Sequence, residues 1–474
     1  MGRLREAIVV GAGPNGLAAA VALAQAGRRV TVYETADTIG GGSRTAELTL
    51  PGFRHDVCST IQALTPSSPF LLTLGLERFG LEWVRPDVPL AHPFDDGTGA
   101  TLHRSVEETA GQFDPIDATA YHRLFGPLAA QSDRLWEMFL GPIQGAFRHP
   151  LLAAQFGARG LWPARTLART RFRSPKARAL LAGNAAHSIL DLRRPGTGSF
   201  GLMLMLAAHA DGWPFARGGS QALVDAMAAL LRELGGRVVT GHPIRSLREL
   251  PGDATVVFDL TPRQIVDIAG DQLPGRYRRQ LGRFRYGASA FKLDWALDGP
   301  IPWTAAAARR AGTVHLGGSL EEIVASEAAM AAGGVSERPF VLLTQPTLFD
   351  PTRAPADKHI AWAYCHVPAG SMEDMTERIE AQVERFAPGF RVRIIGRSAI
   401  DPAGWAVYND NYVGGDINGG RQHLRQQFAR PAPRWNPYST PNPRLFICSA
   451  STPPGGGIHG MSGYHGAQAA LRRD

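Results

Sequence analysis

The sequence predicts an α/β protein built on a Rossmann-like dinucleotide fold, and three observations carry that prediction. Residues 7–34 read as one strand–turn–helix–strand unit with glycines at Gly11, Gly13 and Gly16. A second glycine cluster, Gly40-Gly41-Gly42, follows closely behind the acid that ends this unit, Glu34. The chain has 474 residues, 44% of them hydrophobic, enough for a large core divided among two or three domains.

Each element of the first unit has its own signal. Ala7–Val10 is a short apolar run suited to a strand covered on both faces. Leu17–Gln25 is rich in Ala and Leu and stops at Gly27, as a helix does, and Arg29–Glu34 reads as the second strand. In the turn Gly11-Ala12-Gly13-Pro14-Asn15-Gly16, Gly11 permits the tight bend, Gly13 lets backbone approach a pyrophosphate, and Gly16 lets helix and strand pack closely. The helix N-terminus adds free N–H groups and a positive dipole for the anion. Glu34, about twenty residues beyond the glycines, is placed to accept hydrogen bonds from ribose hydroxyls. The alternative is a tight βα turn with no ligand. The run from Asp37 to Thr45, with Gly41, Gly42, Ser43 and Arg44, favours FAD over NAD, because large flavoproteins set such a cluster against the pyrophosphate and ribityl chain. Otherwise it is a flexible glycine loop.

Composition narrows the class. Cys58, Cys365 and Cys448 form no C-x-x-C pair, which argues against a redox dithiol and against a zinc site. A formal net charge of +8 makes the surface basic, which suits anionic substrates or an anionic membrane face; no recognised nucleic-acid module accompanies it. Met1 runs through a few charged residues into the first strand with no signal-peptide pattern, and the longest apolar runs, such as Gly201 to Ala208, fall well short of the roughly 20 residues of a spanning helix. A cytoplasmic protein, soluble or peripheral to a membrane, is expected.

The motifs resemble those of the phytoene desaturase and carotenoid isomerase-related flavoproteins, within the amine-oxidase-like FAD superfamily. The resemblance rests on Glu34, Gly41-Gly42, Arg44-Thr45, Pro51-Gly52-Phe53 and Asp56, and on the block Phe215-Ala216-Arg217-Gly218-Gly219-Ser220. It implies that Gly218 and Gly219 open a helix near the flavin and that the strand around Val239 holds the adenine end with its backbone. The most specific match is Arg444 to Tyr464, similar to the closing strand, glycine loop and helix of the subgroup called pyridine-nucleotide-disulphide-oxidoreductase-domain-containing proteins. There Ser451, Gly456, Gly457, Ile458 and His459 become candidate FAD contacts. A helix N-terminus after Gly455-Gly456-Gly457 suits the flavin edge where negative charge gathers on reduction. No cysteine falls in a covalent flavin motif, so the FAD is expected to be non-covalent.

The resemblance implies an α/β fold with a discontinuous Rossmann-like FAD-binding domain, from 1–75, 215–290 and 435–474. An α+β substrate domain, a mixed sheet plus a helical lid, is inserted as 76–214 and 291–434. Ala290–Leu297, Thr313–Leu316, Phe340–Gln345 and His359–Val367 read as strands, Met375–Phe386 as a helix, and 115–210 as mostly helical. Between Glu137 and Asp191 lie eight basic residues and no acid, interleaved with Leu, Phe and Trp162. This stretch, 148–178, reads either as a solvated lid or dimer face or as a peripheral membrane contact.

The expected chemistry is hydride transfer from a hydrophobic small molecule, such as a polyene, isoprenoid or secondary metabolite, to flavin N5. No second dinucleotide fingerprint is present, so oxygen, a quinone or another carrier is expected to take the electrons. The rivals are a redox-neutral isomerase or cyclase, an amine oxidase, and a non-catalytic flavoprotein scaffold. His459 is a candidate for proton transfer, since a histidine ordinarily titrates near 6.5, or else a structural hydrogen-bonder. Tyr412 and Asp416 sit in the polar, glycine-rich run Asn411–Gly420, which either lines the substrate side of the flavin or is simply a turn. No metal site and no oligomeric state are indicated.

Overall fold

The computed structural model describes residues 6–473. A five-stranded, all-parallel sheet runs in the order Leu445–Ile447, Thr255–Phe258, Glu6–Val10, Arg29–Tyr33, Arg237–Val239. It draws on three separate stretches of the chain. Strand alternation explains how it is covered: Ala7, Val9, Val257 and Phe446 join one apolar cluster, whereas Ile8, Val10, Val256, Phe258, Leu445 and Ile447 join another on the opposite face.

The first helix begins at Pro14, three residues ahead of the sequence expectation, because proline is preorganised for the first helical position. It packs against Gln221–Glu233 and against the closing helix, Met461–Leu471. Two glycines set how closely this helix packs, one against the turn before it and one against the closing helix. A Cβ on Gly16 would stand 2.0 Å from the Gly11 carbonyl oxygen, and one on Gly463 would stand 1.9 Å from that of Asn15.

The second sheet has seven strands and is mixed. Its order is Ile394–Ile400, Ser289–Leu297, His359–Val367, Val341–Thr344, Ala311–Leu316, Val88–Pro93, Gly99–Leu102, and only the pair Ala311–Leu316 with Val88–Pro93 is parallel. One face buries Leu293, Trp295, Val314, Leu343 and Ala363 against the helix Thr376–Phe386. The other face looks toward six helices between Pro115 and Asp211. Three of these strands are absent from the sequence reading. Val88–Pro93 carries two prolines, which argue against a strand, and Ile394–Ile400 is a half-exposed edge. Among the described residues no helix is long and apolar enough to cross a membrane.

Candidate functional site

A cavity of about 1260 Å³ opens between the two sheets and the helical layer. It exceeds the roughly 300–1,000 Å³ of an ordinary small-molecule pocket. Its glycine-rich end includes Gly11, Gly13, Pro14, Asn15 and Glu34, at the carboxyl ends of the parallel strands, and its apolar end includes Phe156, Phe200, Met203, Leu204 and Trp213.

At the glycine-rich end, Gly11 has φ +102°, a turn conformation that favours glycine. Glu34 is nearly buried and already engaged: Ala12 N donates to Oε2 at 2.8 Å, and Ala36 N and Arg44 Nη2 donate to Oε1 at 3.0 and 3.2 Å. A carboxylate has about four acceptor positions, so capacity remains for a ligand hydroxyl. Asp259, at the end of Thr255–Phe258, accepts from Gly16 N at 2.9 Å, and its Oδ2 would lie 2.8 Å from a Cβ on Gly13. Burial, with the charge of Glu34 adding to it, pushes the Asp259 carboxyl up to about 7 despite the Gly16 amide.

Gly41, Gly42, Ser43 and Arg44 also line the cavity, and an aromatic cluster backs them. Trp405, Tyr408 and Tyr412 stand 5.9–6.3 Å apart between ring centroids. Tyr408 OH donates to the Gly41 carbonyl at 2.6 Å, and the Arg44 guanidinium lies 5.3 Å from the Tyr408 ring centre. A Cβ on Gly42 would meet the Tyr412 hydroxyl oxygen at 2.4 Å, so the glycine makes room for the phenol. Burial raises the Tyr412 hydroxyl well above its ordinary value, and its hydrogen-bond partner is Cys58 Sγ at 3.6 Å.

The C-terminal loop brings Gly456, Gly457, Ile458 and His459 to the cavity. His459 Nδ1 accepts from Met461 N at 3.0 Å, at the start of the closing helix, and Ser68 Oγ donates to its carbonyl at 2.6 Å. Burial pushes its pKa down to about 4, so the ring is neutral near pH 7. Buried Arg430 reinforces this loop: its guanidinium donates to the carbonyls of Gly419, Ala450 and Ser451 at 3.1, 2.8 and 3.3 Å, and to the side chains of Gln422 and Gln427.

Other candidate residues stand behind the cavity wall. Asp416 is buried, and its oxygens accept from Gly287 N at 2.6 Å and Asn418 N at 2.8 Å, so it shapes the loop from beneath. Gly16 packs helix on turn. Gly218 N donates to Asp350 Oδ2 at 2.7 Å, and a Cβ on Gly219 would meet Thr45 Oγ1 at 2.3 Å. The Val239 carbonyl accepts from Glu34 N, and Ser451 Oγ donates to Gly419 O. Asp56 locks the Gly218-Gly219 loop by accepting from Ser220 N and pairing with Arg353 at 3.0 Å; burial opposes its ionisation, but Arg353, Thr60, Thr45 and Ser220 together hold it below the usual carboxylate range.

Several site features escaped sequence reasoning. Asp259 carried the signal that an acid ends an apolar strand at the ligand-binding edge of a parallel sheet. Trp362 and Tyr364 carried the period-two alternation of their strand, which puts both on the cavity face, stacked at 5.7 Å. Lys292, paired with Asp294 and 5.0 Å from the centre of the Trp362 ring, and Arg430 had no comparable signal. Seven buried polar atoms of cavity-lining residues have no hydrogen-bond partner among the described residues, and four of them, Asn15 Oδ1, Ser43 Oγ, Gln62 Oε1 and His459 Nε2, belong to the glycine-rich motifs, the C-terminal loop or the segment that leads away from them.

Residues 9–71 match the NAD(P)-binding Rossmann-like domain family. The chain is 26% identical to mouse pyridine nucleotide-disulfide oxidoreductase domain-containing protein 2, over 99% of this chain and 94% of that protein. It is 30% identical to phytoene dehydrogenase of Streptomyces griseus, over 77% of this chain and 74% of that protein. An oxidoreductase from Methanosarcina mazei shares the fold with a TM-score of 0.66 at 14% identity, over 98% of this chain and 100% of that one.

Proposed function

We propose that this chain, which belongs to the phytoene dehydrogenase-related family of FAD-dependent oxidoreductases, binds FAD non-covalently at the glycine-rich end of its cavity and dehydrogenates a hydrophobic small molecule at the apolar end. The observation that carries this reading is the continuity of the cavity, from the turn after the first strand to Phe156, Phe200 and Trp213.

The residues present fit FAD. Buried polar atoms without partners are costly, and the four at Asn15, Ser43, Gln62 and His459 supply donors and acceptors spread along a long polar ligand. Gly11, Gly13, Gly41 and Gly42 line this end of the cavity and present backbone, not side chains, to that ligand. Glu34 would hold the ribose, and the Gly456–His459 loop the isoalloxazine. When bound, FAD supplies a hydride acceptor at N5. The chain's own part is to bind, orient and exclude water. Trp362 and Tyr364 form an apolar floor, and neutral His459 offers its unpartnered Nε2 without adding a charge.

The test is an absorbance spectrum before and after acid precipitation, followed by anaerobic reduction with dithionite and re-admission of air. Flavin bands that pass into the supernatant support non-covalent FAD, and fast reoxidation marks an oxidase, slow reoxidation a quinone-linked or redox-neutral enzyme. A colourless protein that takes up no added FAD overturns the reading.

A further inference from the structure

Three neighbouring strands turn a small grid of side chains toward the cavity. In register, His315, Leu342 and Tyr364 form one row, and Thr313, Thr344 and Trp362 the next. Period-two alternation puts all six on one face, with directly opposed Cβ atoms about 5 Å apart. Thr313 Oγ1 and Thr344 Oγ1 are buried without a hydrogen-bond partner among the described residues, although both residues line the cavity. These hydroxyls lie in a wall otherwise built from Leu342, Trp362, Leu204 and Trp213.

From the opposite side His187, the residue that ends the helix Pro175–Ala186, reaches His315: the two Nε2 atoms are 3.1 Å apart. One ring must donate and the other accept, and the packing decides which. A Cβ on Gly183 would stand 2.8 Å from His315 Nδ1, so that nitrogen faces helix backbone and has no partner among the described residues. An orphaned N–H is costlier than an orphaned lone pair. His315 therefore carries its proton on Nε2 and donates it to His187, which is thereby fixed with its proton on Nδ1. His187 Nδ1 makes no hydrogen bond to the described protein, and its residue lines the cavity. Burial, helped by the repulsion of His366, pushes His187 down to about 3, and burial also drives His315 well below its ordinary value, so the pair is neutral.

We propose that His187, oriented by His315, forms with the hydroxyls of Thr313 and Thr344 a polar subsite in the apolar half of the cavity that takes an oxygen function, a carbonyl or hydroxyl, of the substrate. This rests on the reading of that half as a hydrophobic substrate site, and it narrows the substrate from a pure hydrocarbon to an oxygen-bearing lipophile. A neutral N–H donor and two hydroxyls suit a neutral oxygen; an ammonium or carboxylate would find no opposite charge among them.

The test is equilibrium dialysis of two probes that share a skeleton, 2-acetylnaphthalene and 2-ethylnaphthalene, against the FAD-loaded protein. The readout is the ratio of the two affinities, which cancels the difference in their partition from water. His187→Phe is expected to shift that ratio toward the hydrocarbon by about fivefold, the size of one neutral hydrogen bond. Thr344→Val, a smaller change, is expected to shift it by at least twofold and guards against loss of fold in the first variant. A ratio that stays constant in both variants overturns the subsite while leaving the apolar cavity intact. If neither probe binds the wild-type protein, the hydrophobic substrate site itself fails and the subsite with it.

Discussion

The amide of Gly16 donates to Asp259 Oδ2 at 2.9 Å, so a buried carboxyl sits at the N-terminus of the helix expected to face the dinucleotide phosphates. With its pKa raised to about 7, chiefly by burial, this acid holds a proton in the folded state over a range where the unfolded chain has lost it. Its contribution to stability is fully present below about 4 and is lost as pH rises toward 7, on the order of 4 kcal/mol in all. Thermal melts of the FAD-free protein are therefore expected to fall from pH 5 to 7, with a flatter profile for Asp259→Asn. The ionised acid also repels a phosphate. FAD affinity is expected to weaken from pH 6 to 8 in the wild type and to vary little in Asp259→Asn, as read by fluorescence titration.

The closing helix approaches the first most tightly at Gly463. A Cβ on Gly463 would lie 1.9 Å from the Asn15 carbonyl oxygen, which is backbone and cannot rotate away. Gly463→Ala must push the helices apart. The expected cost is about 1–3 kcal/mol, seen as a lower Tm, together with loss of bound flavin, since both Asn15 and the loop before this helix line the cavity. Gly27→Ala is the control. Nothing stands within 4 Å of its Cβ, so only its positive φ is strained and flavin retention is expected to stay near the wild-type level.

The parallel sheet and its turns were legible because each has a local signature: an apolar run, a glycine at a bend, an acid after a strand. The second sheet was legible only in part. His359–Val367 announces itself by alternation, whereas Val88–Pro93 becomes a strand only because Ala311–Leu316 and Gly99–Leu102 flank it. The same divide runs through the site. Gly13 and Glu34 were readable from spacing, but Asp416 and Gly218, though close to such motifs, serve the loops behind the wall, and which side of a loop a residue faces is set by tertiary packing. The pairing of His187 with His315 joins a helix end to a strand 128 residues away. No periodicity in the chain encodes it.

His459 offers a separate pH signature. Its pKa is lowered to about 4 by burial, so the neutral ring's contribution to stability is present above about 6.5 and is lost as pH falls toward 4. Its Nδ1 also accepts from the first amide of the closing helix, in the manner of a cap. His459→Ala is expected to lose about 1 kcal/mol at pH 7.5 and to flatten the decline between pH 6.5 and 4.5. His459→Asn restores a side-chain acceptor without the titration: the pH 7.5 loss should shrink while the acid decline stays flat. Unfolding in urea at the two pH values checks both.

The helix Pro150–Gly160, which lines the apolar end with Ala153, Phe156 and Gly157, also carries and adjoins exposed apolar side chains. Phe147 and Leu151 are 76% and 86% exposed, Leu161 and Phe428 are exposed residues of the cavity wall, and Arg148 lies beside the first pair. Exposed apolar side chains among cations, with no acid from 138 to 190, match the requirements of an interfacial anchor: the apolar groups enter the acyl boundary and the arginines meet anionic headgroups. We propose that this face rests on an anionic bilayer and draws its lipophilic substrate from it. Co-sedimentation with vesicles of phosphatidylcholine and 30 to 40% phosphatidylserine, roughly a strongly anionic leaflet, is expected to capture the wild-type protein. The double variant Phe147→Glu, Leu151→Glu should bind several-fold less while keeping its flavin and its Tm. Equal binding to purely zwitterionic vesicles would remove the role of the arginines, and equal binding by the double variant would leave those residues as part of a solvated lid.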